Sequence, residues 1–82
     1  MRVIVRLPQL SMGMSDAEVV EWHVAVGETV AEGDDLVDVE GEKAVSTVVA
    51  PASGMVHRID AEVGDVVEVR GALAVIETGS AG

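Results

Sequence analysis

Val37-Asp38-Val39-Glu40-Gly41-Glu42-Lys43-Ala44-Val45-Ser46-Thr47-Val48-Val49 carries the plainest structural signal in the chain. Two runs rich in valine flank a short polar segment that contains a glycine. Valine and threonine carry two substituents on Cβ, which restricts them on a helix and suits a pleated surface. Gly41 supplies the backbone freedom that a tight reversal needs. The stretch therefore reads as two strands, 36–40 and 44–49, joined by a hairpin turn.

The rest of the chain follows the same pattern. Its 82 residues include eighteen valines, three isoleucines and four leucines, with one tryptophan and no phenylalanine or tyrosine. Turn signals recur at Met12-Gly13, Val26-Gly27, Glu32-Gly33-Asp34, Pro51 to Gly54, Val63-Gly64-Asp65 and Arg70-Gly71. Between them the spacing predicts further strands over 2–7, 18–24, 29–31, 55–60, 66–68 and 72–77. Short, regular strands with glycine-based turns point to an all-β sandwich or barrel.

Composition narrows the function classes. There is no cysteine, hence no disulfide framework, thiolate metal site or cysteine nucleophile. Fifteen carboxylates against five basic residues give a net charge of −10. That balance repels phosphate backbones and anionic lipid, so neither nucleic acid nor membrane is an expected partner. It favours a monomeric, soluble domain whose partners present neutral or basic surfaces. The N-terminus shows no signal-peptide pattern, and the expected location is the bacterial cytoplasm. Residues 1–78 read as one domain, and the small, polar residues 79–82 as the start of a linker or a disordered tail.

The chain also repeats itself. Shifted by thirty-seven residues, Val26-Gly27-Glu28 falls on Val63-Gly64-Asp65, and Val19, Val30, Leu36, Val39 and Glu40 fall on Val56, Val67, Leu73, Ile76 and Glu77. Two copies cannot make a stable solenoid, so the repeat implies two similar halves closing on one core with quasi-twofold symmetry. The symmetry isolates one difference. After Glu40 the chain turns back through Gly41-Glu42-Lys43-Ala44, whereas after Glu77 it runs to its end.

Lys43 is the only lysine of the chain. An exposed amine on a rigid turn is open to acylation, although a lone turn lysine also serves simple solubility. Glu40-Gly41-Glu42-Lys43-Ala44 resembles the Glu-x-Asp-Lys-Ala attachment motif of lipoyl domains. Leu7-Pro8-Gln9-Leu10 with Met12-Gly13-Met14, and Glu18-Val19-Val20-Glu21-Trp22, resemble that family's first strand, loop and second strand. Val26 to Leu36, Ala50-Pro51-Ala52-Ser53-Gly54 and Val63 to Val67 match its remaining motifs, so the likeness spans residues 5 to 77.

The resemblance implies a flattened β-barrel or sandwich of two four-stranded antiparallel sheets, a barrel-sandwich hybrid. It implies lipoic acid in amide linkage to Lys43, attached by a lipoate ligase or lipoyl transferase that reads Glu40, Gly41, Glu42 and Ala44. It implies a swinging arm of a 2-oxo acid dehydrogenase complex. Such an arm is acylated at a thiamine-diphosphate decarboxylase, delivers to coenzyme A at an acyltransferase core and is reoxidised by a flavin dihydrolipoamide dehydrogenase. The domain itself is a carrier and not an enzyme, since the cofactor holds the chemistry. Glu42 departs from the family's aspartate. Biotin carriers share the fold but flank their lysine with methionine on both sides, which Glu42 and Ala44 do not match. An unmodified β-barrel interaction domain is the reading from another class.

Met12, Gly13 and Met14 lie in the loop that in this family helps partner enzymes recognise the domain; gap-filling methionine is the plain alternative. Trp22 is expected in the core. His23 and His57 lack a metal spacing or a matched nucleophile and read as solvated or satisfied side chains. Asp34-Asp35 reads as part of a turn, and no glycine-rich phosphate cradle is present.

Overall fold

The computed structural model describes residues 1–42 and 44–79. Eight strands follow in order: β1 (Arg2–Arg6), β2 (Asp16–Trp22), β3 (Thr29–Val30), β4 (Asp35–Glu40), β5 (Val45–Val49), β6 (Gly54–Ile59), β7 (Val66–Glu68) and β8 (Ala72–Glu77). They form two four-stranded antiparallel sheets, ordered β1-β8-β6-β3 and β5-β4-β2-β7. The all-β, two-sheet architecture read from the sequence is the one observed. β2 begins earlier than expected because Asp16 and Ala17 pair with Glu68 and Val67 of β7, a partner distant in the chain. Of residues 79–82, read as the start of a linker or a disordered tail, Ser80 to Gly82 lie outside the described residues.

The repeat corresponds to real structural equivalence. β2, β3 and β4 of one half occupy the positions that β6, β7 and β8 occupy in the other. β1 and β5 complete the symmetry as edge strands: Arg2 pairs with Glu77 as Val45 pairs with Glu40, and Val5 with Ala74 as Val48 with Val37. The halves differ chiefly after these edge strands, where residues 7–15 form a longer connection than residues 50–53.

The turns explain why a Val-Gly-acid step recurs. In Ala25–Glu28, Ala31–Asp34, Glu62–Asp65 and Glu68–Gly71 the fourth residue's N–H donates to the first residue's carbonyl, at 3.1, 3.0, 2.9 and 2.8 Å. The third residue has positive φ each time: Gly27 at 94°, Gly33 at 91°, Gly64 at 97° and Arg70 at 76°. In the first three turns the acid also accepts the first residue's N–H through its side chain, at 3.1, 2.9 and 2.9 Å. One carboxylate thus satisfies a donor that the turn leaves unpaired.

The core lies between the sheets on residues that the repeat superposes. Val19 and Val56, Leu36 and Leu73, and Val39 and Ile76 are each no more than 1% exposed. A register shift between Asp35 and Val37 lets Leu36 and Val37 both turn inward, which a regular strand forbids. Trp22 packs against this core as expected, and its indole Nε1 donates to the Ala61 carbonyl at 2.8 Å.

Candidate functional site

β4 leaves its sheet at Glu40, and the chain reverses before β5. The Gly41 N–H donates to the Ala44 carbonyl at 2.9 Å and closes the hairpin at the end of the β4–β5 ladder. Glu40, Glu42 and Ala44 are exposed and Gly41 is half-buried. Lys43, the expected attachment residue, lies between Glu42 and Ala44 in the chain and outside the described residues.

The long β1–β2 connection stands opposite. Its apex is a turn in which the Met14 N–H donates to the Ser11 carbonyl at 3.2 Å, with Gly13 at φ 81°. Met12 at the apex is fully exposed, while Met14 is half-buried and packs on the core. Gln9 holds both ends of the turn: its Nε2 donates to the carbonyls of Ser11 and Met14 at 2.7 and 2.8 Å.

Loop and hairpin form the walls of one groove. It brings Met12, Gly13 and Met14 together with Glu40, Gly41, Glu42 and Ala44. Asp16 and Glu18 of β2 and Val66 of β7 also line it, and sequence reasoning did not single these out. Neither did it single out Gln9 as the clamp. The place of Val66 depends on β7 becoming the neighbour of β2, for which the local sequence carries no signal, whereas the Gln9 clamp is made within its own loop. The ionisable groups described in the groove, Asp16, Glu18, Glu40 and Glu42, are all carboxylates.

His23 is not isolated. Its Nε2 lies 3.0 Å from Asp38 Oδ1, which also accepts the Thr47 hydroxyl at 2.7 Å. The hydrogen bond to Asp38 raises the imidazole pKa from its ordinary value. The Thr47 hydroxyl first, and His23 second, hold the Asp38 carboxyl below its usual range. At the opposite pole the Met1 amino group and Arg2 bind the two oxygens of Glu77 at 3.1 and 3.0 Å and lower its pKa, the amino group more strongly. His57 is half-buried on β6.

Comparison with known proteins agrees with this geometry. Residues 3–76 match the Biotin_lipoyl family model, described as biotin-requiring enzyme. The chain is similar to the lipoamide acyltransferase component of the branched-chain alpha-keto acid dehydrogenase complex of Pseudomonas aeruginosa, with 33% identity over 79 residues. That match covers 96% of this chain but only 18% of the longer protein. Among solved structures, the lipoyl domain of the 2-oxoglutarate dehydrogenase complex of Azotobacter vinelandii aligns with a TM-score of 0.74 at 31% identity, covering 94% of this chain and 99% of that one. The urea carboxylase of Kluyveromyces lactis aligns with a TM-score of 0.81 at 27% identity, covering 94% of this chain and 6% of that one. The family match runs from the first strand to the last, through both sheets, and the chain belongs to the biotin/lipoyl attachment-domain family.

Proposed function

We propose that this chain is a lipoyl carrier domain, with lipoic acid in amide linkage to Lys43, serving as the swinging arm of a 2-oxo acid dehydrogenase complex. The observation that carries the reading is the closed hairpin. The Gly41–Ala44 hydrogen bond ends a rigid two-strand ladder, and the only lysine of the sequence falls between its exposed residues Glu42 and Ala44.

The residues present suit such an attachment. Gly41 and Ala44 are small, and the peptide neighbours of Lys43 face solvent, so an activated acid can approach along the hairpin. In the attachment step the lysine nitrogen attacks an activated lipoyl carboxyl. A C–N bond forms, the bond to the activating group breaks, and a proton leaves the nitrogen. When bound, the group supplies a redox-active dithiolane at the end of a long flexible chain. The hairpin fixes where that chain begins. We assign Glu40, Gly41, Glu42 and Ala44 to recognition by the lipoate ligase or lipoyl transferase. Met12, Gly13 and Met14, across the groove, are assigned to recognition by the thiamine-diphosphate decarboxylase. The acyltransferase core and a flavin dihydrolipoamide dehydrogenase complete the cycle.

The likeness to a carboxylase keeps a biotinyl carrier as the second reading. Against it stand Glu42 and Ala44, where biotin carriers have methionine. Intact mass separates the two. Incubation with lipoate, ATP and a lipoate ligase should add one lipoyl increment to the wild type and none to Lys43→Arg. A biotin ligase with biotin should add nothing. A biotinyl increment alone, or a lipoyl increment that survives Lys43→Arg, overturns the proposal.

A further inference from the structure

The internal symmetry supplies a control for every surface of this molecule, and it exposes a difference between the two edge strands. β1 and β5 are equivalent edges. The outer positions of β1 are Arg2, Ile4 and Arg6; the matching positions of β5 are Val45, Thr47 and Val49. The Gly41–Ala44 bond and the Ala50 N–H bond to Asp34 fix the phase of the β5 ladder. Antiparallel pairing alternates, so Ser46 and Val48 bond inward to β4, and the backbone groups of Val45, Thr47 and Val49 point away from the sheet. By the same phase, set at Leu7 and Met1, the groups of Arg2, Ile4 and Arg6 point away on β1.

Charges on an edge strand are a common protection against unwanted strand pairing. β1 has an arginine at each end of its free edge, Arg2 being 59% exposed. β5 has uncharged, β-branched valines at both matching positions, 55% and 46% exposed, in the run Val-Ser-Thr-Val-Val. The unguarded edge is the return strand of the hairpin that carries Lys43. Around it, β2, β4, β5 and β7 hold seven carboxylates and no lysine or arginine. The other sheet holds three arginines and one carboxylate.

We propose that the free edge of β5 is a strand-addition surface, and that its occupant is an extended, basic segment of the enzyme that attaches the cofactor to Lys43. This rests on the carrier reading above. Main-chain pairing along Val45, Thr47 and Val49 gives a grip that is set in register, and the carboxylates of the neighbouring strands favour a positively charged partner. The attaching enzyme is the partner that needs this register. It forms a bond at the lysine nitrogen itself, close to the hairpin. Enzymes that use the finished arm act at its far end, where flexibility absorbs a change in docking.

The test restores the guard. Val45→Arg/Val49→Arg copies the β1 arrangement onto β5, and Val45→Thr/Val49→Thr keeps the edge neutral and β-branched. Lipoylation of the 82-residue chain by a lipoate ligase is followed by intact mass under subsaturating conditions. The arginine pair should slow attachment about tenfold or more while the threonine pair stays near wild type. Once fully lipoylated, the arginine variant should be reductively acylated by the decarboxylase at the wild-type rate. In hydrogen exchange, the Val45, Thr47 and Val49 amides should gain protection when the ligase binds. Attachment to the arginine variant at the wild-type rate, or no gain in protection at these amides, overturns the strand-addition proposal. A wild type that takes no lipoyl group overturns the carrier reading instead.

Discussion

Asp38 shows how a single position on an exposed sheet face becomes constrained. One oxygen accepts the Thr47 hydroxyl from the next strand and faces His23 from beyond β2. Folding raises the His23 pKa, so its contribution to stability is complete below the ordinary value near 6.5 and is lost as pH rises through the raised value. Folding lowers the Asp38 pKa, so its contribution is present above the ordinary value near 3.8 and is lost as pH falls through the lowered value. The two overlap in mildly acid solution. Asp38→Asn should therefore depress the melting temperature more at about pH 5.5 than at about pH 8. Equal losses at both pH values would show that the ion pair contributes nothing. Nothing in the sequence linked these side chains, because their meeting depends on the cross-strand register Asp38↔Thr47. Lys43 stands out for the opposite reason: being the only lysine is a property of the sequence itself.

The turns and strands were easier to read than their exact pairing. Each strand was visible as a short run of apolar, mostly β-branched residues, and most are set off by a glycine-containing turn, because steric preference and backbone freedom act locally. The early start of β2 and the register shift in β4 were not visible, since both answer to a neighbouring strand. One turn position departs from its pattern in a way that can be measured. Gly33 and Arg70 are equivalent, with φ of 91° and 76°, and both are the third residue of a hydrogen-bonded turn. A Cβ at Gly33 would meet nothing within 4 Å, so in the folded state Gly33→Ala adds backbone strain without a steric clash. It should destabilise the domain by about 1 kcal/mol in urea titration. Arg70→Gly relieves the same strain. Its N–H bond to Leu7 and the Arg6 bond to its carbonyl remain, since both use the main chain. Stability should rise, by less than the full strain relieved, because a glycine gives the unfolded chain more freedom. A fall in stability would mean that the Arg70 side chain contributes more than its backbone strain costs.

At the scale of the whole molecule, the two halves are interleaved. Each sheet takes two strands from either side of the hairpin: β1 and β3 with β6 and β8, β2 and β4 with β5 and β7. The core pairs such as Leu36 with Leu73 are contributed equally, so the domain should unfold in one cooperative transition. The symmetry also places two chain reversals at opposite poles. One is the hairpin after Glu40. The other is open, yet its strands are already joined: the Thr78 N–H donates to the Met1 carbonyl at 2.8 Å, and Glu77 holds the Met1 amino group at 3.1 Å. A short glycine-rich link from Thr78 to Met1, with the chain opened between Glu42 and Lys43, should therefore keep all eight strands and both sheets. Circular dichroism should show a native β spectrum and a cooperative melt. In the same permutant Lys43 and Ala44 are parted from Gly41 and Glu42, so both the closed hairpin and the unbroken Glu42-Lys43 step are lost. If the attaching enzyme reads a lysine held at both ends on a rigid ladder, the folded permutant should take up lipoyl groups far more slowly than the parent. A permutant that folds and is modified at the parent's rate would mean that the enzyme needs neither the closed hairpin nor an unbroken chain through Glu42 and Lys43.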